Sequence, residues 1–413
     1  MSHTPATAAT SAPTAPTSAT SPAGPHARAR PARLPLLDVL RGTAIVGTLM
    51  TNVWIFTSPA SEWGVLTGGL PGATLHGLLD GASPGEAAES VFRFLADGKF
   101  LSLLTVLFGV GLAIQFDSAT RNGLAWPGSY RRRALFLFAE GTLHFVLVFA
   151  WDVLMGYAVT ALLVARLLNR SDRVRRTVMW TAAGLHLTVI ALLTLALVTA
   201  PDTADGSGPN PDVVALYADG GYPEQVLFRL QNALAMRLEP VLSFGLLVFL
   251  FLLGVRLFRA GAFRQDAAGR ALRSRMLRWG LGLGLPLNAA VSLAGPDFVL
   301  AGRYVAAPLV ALGYIGLIGA LLDRVRRPGP LTAGLTALGR TALSGYVAQN
   351  VLCVLVSYGF GLGLATRLAD TGPWWVMGLW ATVSALLLAG SALWLRRFPQ
   401  GPLESLQKRA LRR

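Results

Sequence analysis

The sequence is poor in the residues on which most soluble enzymes depend. Cysteine occurs once, as Cys353 inside an apolar segment, so a disulfide framework and a cysteine-based metal site are excluded. Charged residues make up 14% of the 413 residues, and lysine occurs only as Lys99 and Lys408. No phosphate-binding loop, zinc signature or serine-nucleophile motif stands in a usable context, which argues against a nucleotide-driven pump and predicts no metal site.

Apolar residues are abundant instead. They account for 53% of the chain, and the mean hydropathy of +0.52 is typical of a multispanning membrane protein rather than of a soluble enzyme. A net charge of +15 also occurs in nucleic-acid-binding proteins, but these arginines lie between apolar segments, where positive charge sets membrane topology. The sequence therefore predicts the lipid bilayer, and no nucleic acid, as a partner.

The alternation of arginine-rich and acidic loops predicts an all-α bundle of about ten membrane-spanning helices, with both termini in the cytoplasm. The predicted spans are residues 36–56, 100–116, two within 134–168, 177–200, 240–258, 277–294, 300–322, 335–363 and 374–395. A Thr/Ala/Ser/Pro tract predicts a disordered cytoplasmic tail over residues 1–32, before a bundle that covers residues 33–400. Residues 201–239 are predicted to be a long external loop, and residues 401–413 a basic cytoplasmic tail.

The first predicted span carries polar residues that do not belong in lipid. Asp38 and Arg41 lie three residues apart on one helical face, which predicts a structural ion pair. Asn52 lies on the same stripe near the other end of the helix. The stripe is therefore expected to face the centre of the bundle.

Polar residues also interrupt the next spans. Lys99 opens the second span and either reaches a substrate or extends its amine to the membrane surface. In the third span Glu140 and His144 are one turn apart, and Asp152 follows at the hairpin. Histidine suits proton transfer when a partner orients it, but an intramembrane histidine also serves as a hydrogen bond between helices. Both interpretations stay open from the residues alone.

The ninth predicted span has an unusually polar face that includes Arg340, Gln349 and Asn350. Amides often hydrogen-bond across membrane helices, so a structural role is one interpretation. The other is that these residues line a substrate path, because one polar cavity through the bundle would connect them to the polar residues of the first three spans.

The same residues bring a resemblance to a known family. The motif L-D-x-x-R-G followed by Asn52 resembles the first helix of the YeiB-like bacterial membrane proteins, also called domain of unknown function 418. The resemblance continues to the tail and rests on these segments: Gly98-Lys99-Phe100, Leu107–Gly111, Arg132-Arg133, Gly141, His144, Asp152-Val153-Leu154, Tyr157, Gly220-Gly221-Tyr222, Arg229, Gly339–Ser344, Tyr346 and Phe398–Glu404. It implies a multi-pass protein of the bacterial plasma membrane, in a family without a settled activity.

The first span also looks distantly like that of the transmembrane acyltransferases. The acyltransferase-3 type has a histidine where this chain has Asn52, whereas the heparan-glucosaminide type has asparagine there and a histidine in the following loop. This chain offers only His76 in that loop, at a different spacing. The resemblance implies transfer of an acyl group from a cytoplasmic thioester such as acetyl-CoA, used as co-substrate rather than as a bound cofactor, to an envelope small molecule, lipid or glycan.

In this hypothesis His144 is the general base, oriented by Asp152 or Glu140, and Asn52 or Lys99 stabilises the oxyanion. Substrate contacts are expected from Arg340, Gln349 and Asn350. The alternative is a transporter or transport-associated subunit whose polar stripe lines the path, and a scaffold without chemistry is the remaining reading. The oligomeric state stays open.

Overall fold

A computed structural model describes residues 1–3, 34–67, 74–79, 81–128, 130–200 and 210–411. Within these ranges the chain is all α-helical and forms no strand, as the sequence predicts. The predicted disordered tail lies outside the described residues except for its first three, and the part from Leu34 onward forms one compact unit.

The described part of the chain contains 21 α-helices. Their bounds are α1 (Pro35–Thr57), α2 (Ser61–Thr67), α3 (Pro84–Ala96), α4 (Lys99–Arg121), α5 (Tyr130–Leu147), α6 (Leu154–Leu168), α7 (Asp172–Thr199), α8 (Pro211–Ala218), α9 (Tyr222–Gln231), α10 (Ala233–Met236), α11 (Leu238–Leu242), α12 (Phe244–Arg259), α13 (Ala267–Trp279), α14 (Leu285–Leu293), α15 (Val299–Ala301), α16 (Ala307–Arg324), α17 (Pro330–Arg340), α18 (Ala342–Ser357), α19 (Leu364–Arg367), α20 (Trp374–Arg397) and α21 (Pro402–Leu411). Two π-helical segments, Gly280–Gly284 and Gly302–Ala306, continue α13 into α14 and α15 into α16.

Five helical segments of the described chain are long and apolar enough to cross a membrane. They are Pro35–Thr57, Pro84–Arg121, Asp172–Thr199, Pro296–Arg324 and Trp374–Arg397. Leu154–Leu168 and Ala342–Ser357 are shorter apolar helices. The part of the chain that the structure describes is therefore all-helical, with the long apolar helices of a membrane protein.

The ninth predicted span is not one helix. It is divided into α17 and α18, because Thr341 leaves helical geometry with φ −115° and ψ 33°. A second break precedes the second span, where Gly98 has φ +72° and separates α3 from α4. This left-handed conformation favours glycine. Both breaks place backbone ends inside the bundle, next to the cavities described below.

Glycines allow the closest helix crossings. A Cβ on Gly339 of α17 would collide with the Asp38 carbonyl of α1, and one on Gly254 of α12 would collide with the Val106 carbonyl of α4. Small residues let membrane helices approach closely enough for extensive van der Waals contact. These two crossings, α1 with α17 and α4 with α12, bring together the helices that surround the candidate site.

At the end of the bundle where α1 finishes, α2, α8 and α9 pack into a cap. Arg229 Nε lies 2.8 Å from Glu62 Oε2, and both side chains are fully buried. Tyr217 Oη donates to the same oxygen at 2.9 Å, and the Ala150 amide donates to Glu62 Oε1 at 2.9 Å. From residue 210 onward, the predicted external loop is therefore helical and tied to the bundle.

Candidate functional site

Two cavities lie at opposite ends of the bundle. The large cavity, of about 670 Å³, is lined by the second half of α1, including Asn52. The arginine cavity, of about 310 Å³, is lined by the first half of α1, including Arg41. Eleven residues of helix separate these two side chains, which corresponds to about 16 Å along the axis.

Only a thin partition separates the two cavities. Leu104 of α4, Val153 before α6 and Tyr346 of α18 each line both of them. Leu104 and Val153 are apolar, so the Tyr346 hydroxyl is the polar group of this partition. A group transferred from one end of the bundle to the other would pass this side chain.

Tyr346 is held by two of the residues that the sequence singles out. Its hydroxyl donates to Asp152 Oδ1 at 3.4 Å, and its ring stacks on the His144 imidazole with centroids 5.2 Å apart and an angle of 23°. Asp152 Oδ2 accepts from the amides of Leu154 and Met155 at the start of α6. Asp152 is 1% exposed. Burial raises the pKa of this carboxyl to about 7, although Arg237 and the two amides lower it.

His144 bridges two helices. Its Nε2 lies 2.9 Å from Asn350 Nδ2 of α18, and it lines neither cavity. Asp152 is not its hydrogen-bond partner, because the oxygens of Asp152 go to Tyr346 and to α6. Glu140 lies one turn away, and neither of its oxygens has a partner among the described residues. The predicted His144–Asp152 or His144–Glu140 pair is therefore not formed in this structure.

The two predicted oxyanion donors are separated from His144 and from each other. Asn52 is half-buried in the wall of the large cavity. Lys99 is 2% exposed, donates to the Asp97 carbonyl at 3.3 Å and lies 4.4 Å from the centre of the Phe94 ring. It borders a separate small pocket rather than the large cavity. Of these two predicted donors, Asn52 lines the large cavity and Lys99 does not.

The wall of the large cavity carries charges that neutralise one another. Arg303 forms ion pairs with Asp97 and, at 3.2 Å, with Glu239, and Tyr304 donates to the same Glu239 oxygen. Arg303 and Tyr304 belong to the π-helical segment Gly302–Ala306, and such segments are frequent at functional sites. The paired charges make this cavity more suitable for an uncharged polar ligand than for an ion.

The arginine cavity collects positive charge from three helices. Arg41 of α1, Arg133 of α5 and Arg340 of α17 line it, whereas Glu404 is its only acidic lining residue in the described chain. Gln349 and Asn350, which were predicted to bind substrate, are fully buried and line neither cavity. Of the three predicted substrate contacts, only Arg340 therefore reaches a cavity.

The ion pair predicted in the first span is present but not fully buried. Arg41 Nη1 lies 3.4 Å from Asp38 Oδ1, and the side chains are 31% and 19% exposed.

We expect a double-mutant cycle on Asp38→Ala and Arg41→Ala to give a coupling of about 1 kcal/mol or less, since solvent reaches the pair. Thermal unfolding of the four purified proteins measures it.

The Arg175–Asp172 pair has the same three-residue spacing, with side chains 17% and 73% exposed, and serves as a control. It should couple no more strongly than the Arg41 pair. A coupling of 3–5 kcal/mol between Asp38 and Arg41 would show a fully buried pair instead.

Several lining residues were not predicted from the sequence. Arg133 and Glu404 appear in the sequence only within segments of the family resemblance, and Arg303 lies unremarked inside a predicted span. Nothing in their spacing shows that they reach a cavity. Tyr346 appears in the sequence only among the segments of the family resemblance. Its place between the two cavities depends on how α4, α6 and α18 pack, which no local pattern encodes.

The chain is similar to known proteins over most of its length. Residues 257–413 match the family model described as "Protein of unknown function (DUF418)". The chain is 25% identical over 398 residues to the uncharacterized protein YxaH of Bacillus subtilis (strain 168), covering 92% of this chain and 94% of that protein. It is 27% identical over 392 residues to the uncharacterized protein YeiB of Escherichia coli (strain K12), covering 90% and 94%.

Proposed function

The chain is a YeiB-like protein of the DUF418 family, and we propose that it transfers an acyl group from a thioester at one end of the bundle to an acceptor at the other. The observation that carries the proposal is the position of Tyr346, whose side chain lines both cavities. A donor in one cavity and an acceptor in the other would be separated only by the partition of Leu104, Val153 and Tyr346, in which Tyr346 carries the polar side chain. The reaction would take place at the partition.

The arginines indicate which end faces the cytoplasm. At the end of the bundle that holds the arginine cavity, helices carry arginine within their first or last four residues, as at Arg121, Arg131, Arg166, Arg173, Arg256, Arg270, Arg324 and Arg396. Lysine and arginine near membrane helices favour the cytoplasmic side. The proposal therefore includes about ten spans in a bacterial plasma membrane, with both termini and the arginine cavity on the cytoplasmic side.

The two cavities suit two different substrates. Coenzyme A carries phosphate groups, and the guanidinium groups of Arg41, Arg133 and Arg340 match phosphate in charge and in hydrogen-bond geometry. The large cavity has a volume in the usual range for small-molecule sites, with Trp54 and Trp151 in its wall. The acceptor would be a hydroxyl or amine of an envelope small molecule, lipid or glycan.

The contacts at the partition supply the proton transfers. The acceptor oxygen would bond to the thioester carbonyl carbon while its proton passes to Tyr346 Oη and the Tyr346 proton passes to Asp152. The carbon–sulfur bond would then break, and Asp152 would give its proton back to Tyr346 Oη as Tyr346 donates a proton to the departing thiolate. A base with a pKa near 7 suits this role at neutral pH. Asn52 would donate to the developing oxyanion, and His144 would position the Tyr346 ring.

A transporter is the second candidate, and the closed partition favours it. Two cavities at opposite ends, with apolar side chains and one tyrosine between them, are also the arrangement of an occluded carrier. Tyr346 would then act as a gate instead of a proton donor. A scaffold role makes no use of either cavity.

The proposed topology makes a direct prediction. Reporter fusions after Arg264 and Arg327 should give cytoplasmic signals, because both follow helices that end on arginine clusters. Fusions after Thr67 and Asn210 should give external signals. Membrane protein yields from all four fusions serve as the control for insertion. An external signal at Arg264 would contradict the arrangement of spans.

The two functions differ in what the cell loses. An untargeted comparison of lipids, glycans and metabolites in cells with and without the gene should show an acylated envelope species that disappears with the gene. Changed uptake or efflux without any missing modification would favour the transporter. Unchanged composition and unchanged transport would contradict both.

A further inference from the structure

The C-terminal helix α21 closes the arginine cavity with a carboxylate. Glu404 Oε1 accepts from the amides of Leu343, at 2.8 Å, and Ser344, at 3.4 Å, at the beginning of α18. Glu404 Oε2 accepts from the Ser344 hydroxyl at 2.6 Å. Gln407, one turn further along α21, also lines the cavity. An anion is therefore already held at this helix start by three donors.

The fit between the tail and α18 is close. The Leu403 amide donates to Ser344 Oγ at 3.0 Å. A Cβ on Gly401 would collide with Glu404 Oε2 and would lie 2.7 Å from Ser344 Oγ. The segment before α21 thus needs glycine for the carboxylate to reach its donors, which makes the contact a specific one.

The cavity holds more positive charge than this carboxylate offsets. Arg41 has an acidic partner in Asp38, which does not itself line the cavity. Arg340 donates only to the Pro399 carbonyl at 3.3 Å, and Arg133 has no hydrogen bond or ion pair within the described part of the chain. Two guanidinium groups therefore face the cavity without an acidic partner, beside an anion site that a neighbouring carboxylate fills.

We propose that the arginine cavity binds a phosphate-bearing ligand, that Glu404 occupies the place of its phosphate, and that α21 is the lid which the ligand displaces. Phosphate has the charge and the several acceptor oxygens that a helix start, a hydroxyl and guanidinium groups satisfy together. Glu404 satisfies the helix start but leaves Arg133 and Arg340 without an anion. The proposal deepens the proposed function, on which it rests for calling this ligand the acyl donor.

Competition between Glu404 and the ligand gives an unusual expectation for binding. Glu404→Gln removes the negative charge that holds the lid, so the affinity for pyrophosphate should rise by roughly tenfold. Gly401→Ala should also raise the affinity for pyrophosphate, because the added methyl group displaces the Glu404 carboxylate from its donors while leaving it charged. Arg340→Gln should weaken binding by roughly tenfold, since it removes a phosphate donor. Arg397→Gln, an exposed arginine outside the cavity, should leave binding unchanged.

The experiment is titration calorimetry of delipidated protein in detergent with pyrophosphate at constant ionic strength. A second arm adds phosphatidylglycerol to the micelles. Competition by this lipid that depends on Arg340 would identify the phosphate source as a lipid headgroup, and its absence would identify a soluble ligand. Both results support a phosphate site.

Three results would overturn the proposal. They are no saturable binding of pyrophosphate or phosphatidylglycerol, equal losses in Arg340→Gln and Arg397→Gln, and weaker binding in both Glu404→Gln and Gly401→Ala. The binding measurement does not require catalytic turnover. If binding depends on Arg340 but the protein transfers no acyl group, the phosphate site is supported and the proposed acyl transfer is contradicted.

Discussion

Replacing Arg229 by methionine is expected to lower the free energy of unfolding by about 3–5 kcal/mol, because it leaves the Glu62 carboxylate buried without its cation. Both side chains are 0% exposed. Burial alone would lower the pKa of Arg229, but the Glu62 carboxylate raises it, so the guanidinium stays charged. Thermal unfolding of the detergent-purified variant measures the loss.

A matched control is the exposed ion pair of Arg264 and Asp266, whose side chains are 72% and 40% exposed. Arg264→Met should cost less than about 1 kcal/mol. The double variant Glu62→Met/Arg229→Met should recover part of the stability that Arg229→Met loses, since no charge then remains unpaired. Wild-type stability in Arg229→Met would show that the cap does not depend on this pair.

The same variant should also disturb the large cavity. The Trp151 indole donates to the Glu62 carbonyl at 2.9 Å, and Trp151 lines the cavity next to Asp152. The buried pair therefore anchors the segment that carries the proposed base. Loss of stability and loss of function should appear together in Arg229→Met, in contrast to Tyr346→Phe, which should keep its stability.

Tyr346→Phe should reduce acyl transfer by about 10²- to 10⁴-fold while leaving the protein folded, because it removes only the hydroxyl that relays the proton. The ring and its stacking on His144 are retained. The lost hydrogen bond to Asp152 is long, at 3.4 Å, so the change in stability should be small. Initial transfer rates and thermal unfolding, measured on the same preparation, separate the two effects.

His144→Gln is the informative comparison. It removes the ring that stacks on Tyr346 and replaces the imidazole that bonds to Asn350, and such a hydrogen bond is worth typically under 2 kcal/mol in a membrane bundle. We expect a smaller rate loss than in Tyr346→Phe. A larger rate loss in His144→Gln than in Tyr346→Phe would identify His144 as the general base.

The transfer rate of the wild-type protein should fall as pH drops below about 7, since a protonated Asp152 cannot accept a proton.

The sequence predicts the helical membrane class because long apolar runs and arginine positions are local features. It also identifies the close neighbours Asp38 and Arg41, since three residues along a helix determine which side chains meet. The family resemblance comes from the same local motifs. None of these inferences requires knowledge of how the helices pack.

The site could not be predicted in the same way, because its contacts are distant in sequence. Glu62 lies between two predicted spans, and Arg229 appears only among the segments of the family resemblance. Together they form the most buried ion pair of the described chain. His144 and Asp152 are eight residues apart and suggest a pair. The break at the beginning of α6 instead turns Asp152 toward backbone amides and Tyr346.

The most direct test of acyl transfer across the partition uses inverted membrane vesicles, in which the proposed cytoplasmic face is outside. Vesicles are incubated with acetyl-CoA carrying a radiolabelled acetyl group, and label in the lipid and glycan fractions is counted. Vesicles containing the wild-type protein should acquire label, and those containing Tyr346→Phe at equal abundance should stay near the level of vesicles without the protein. Equal labelling with and without the protein would contradict the account.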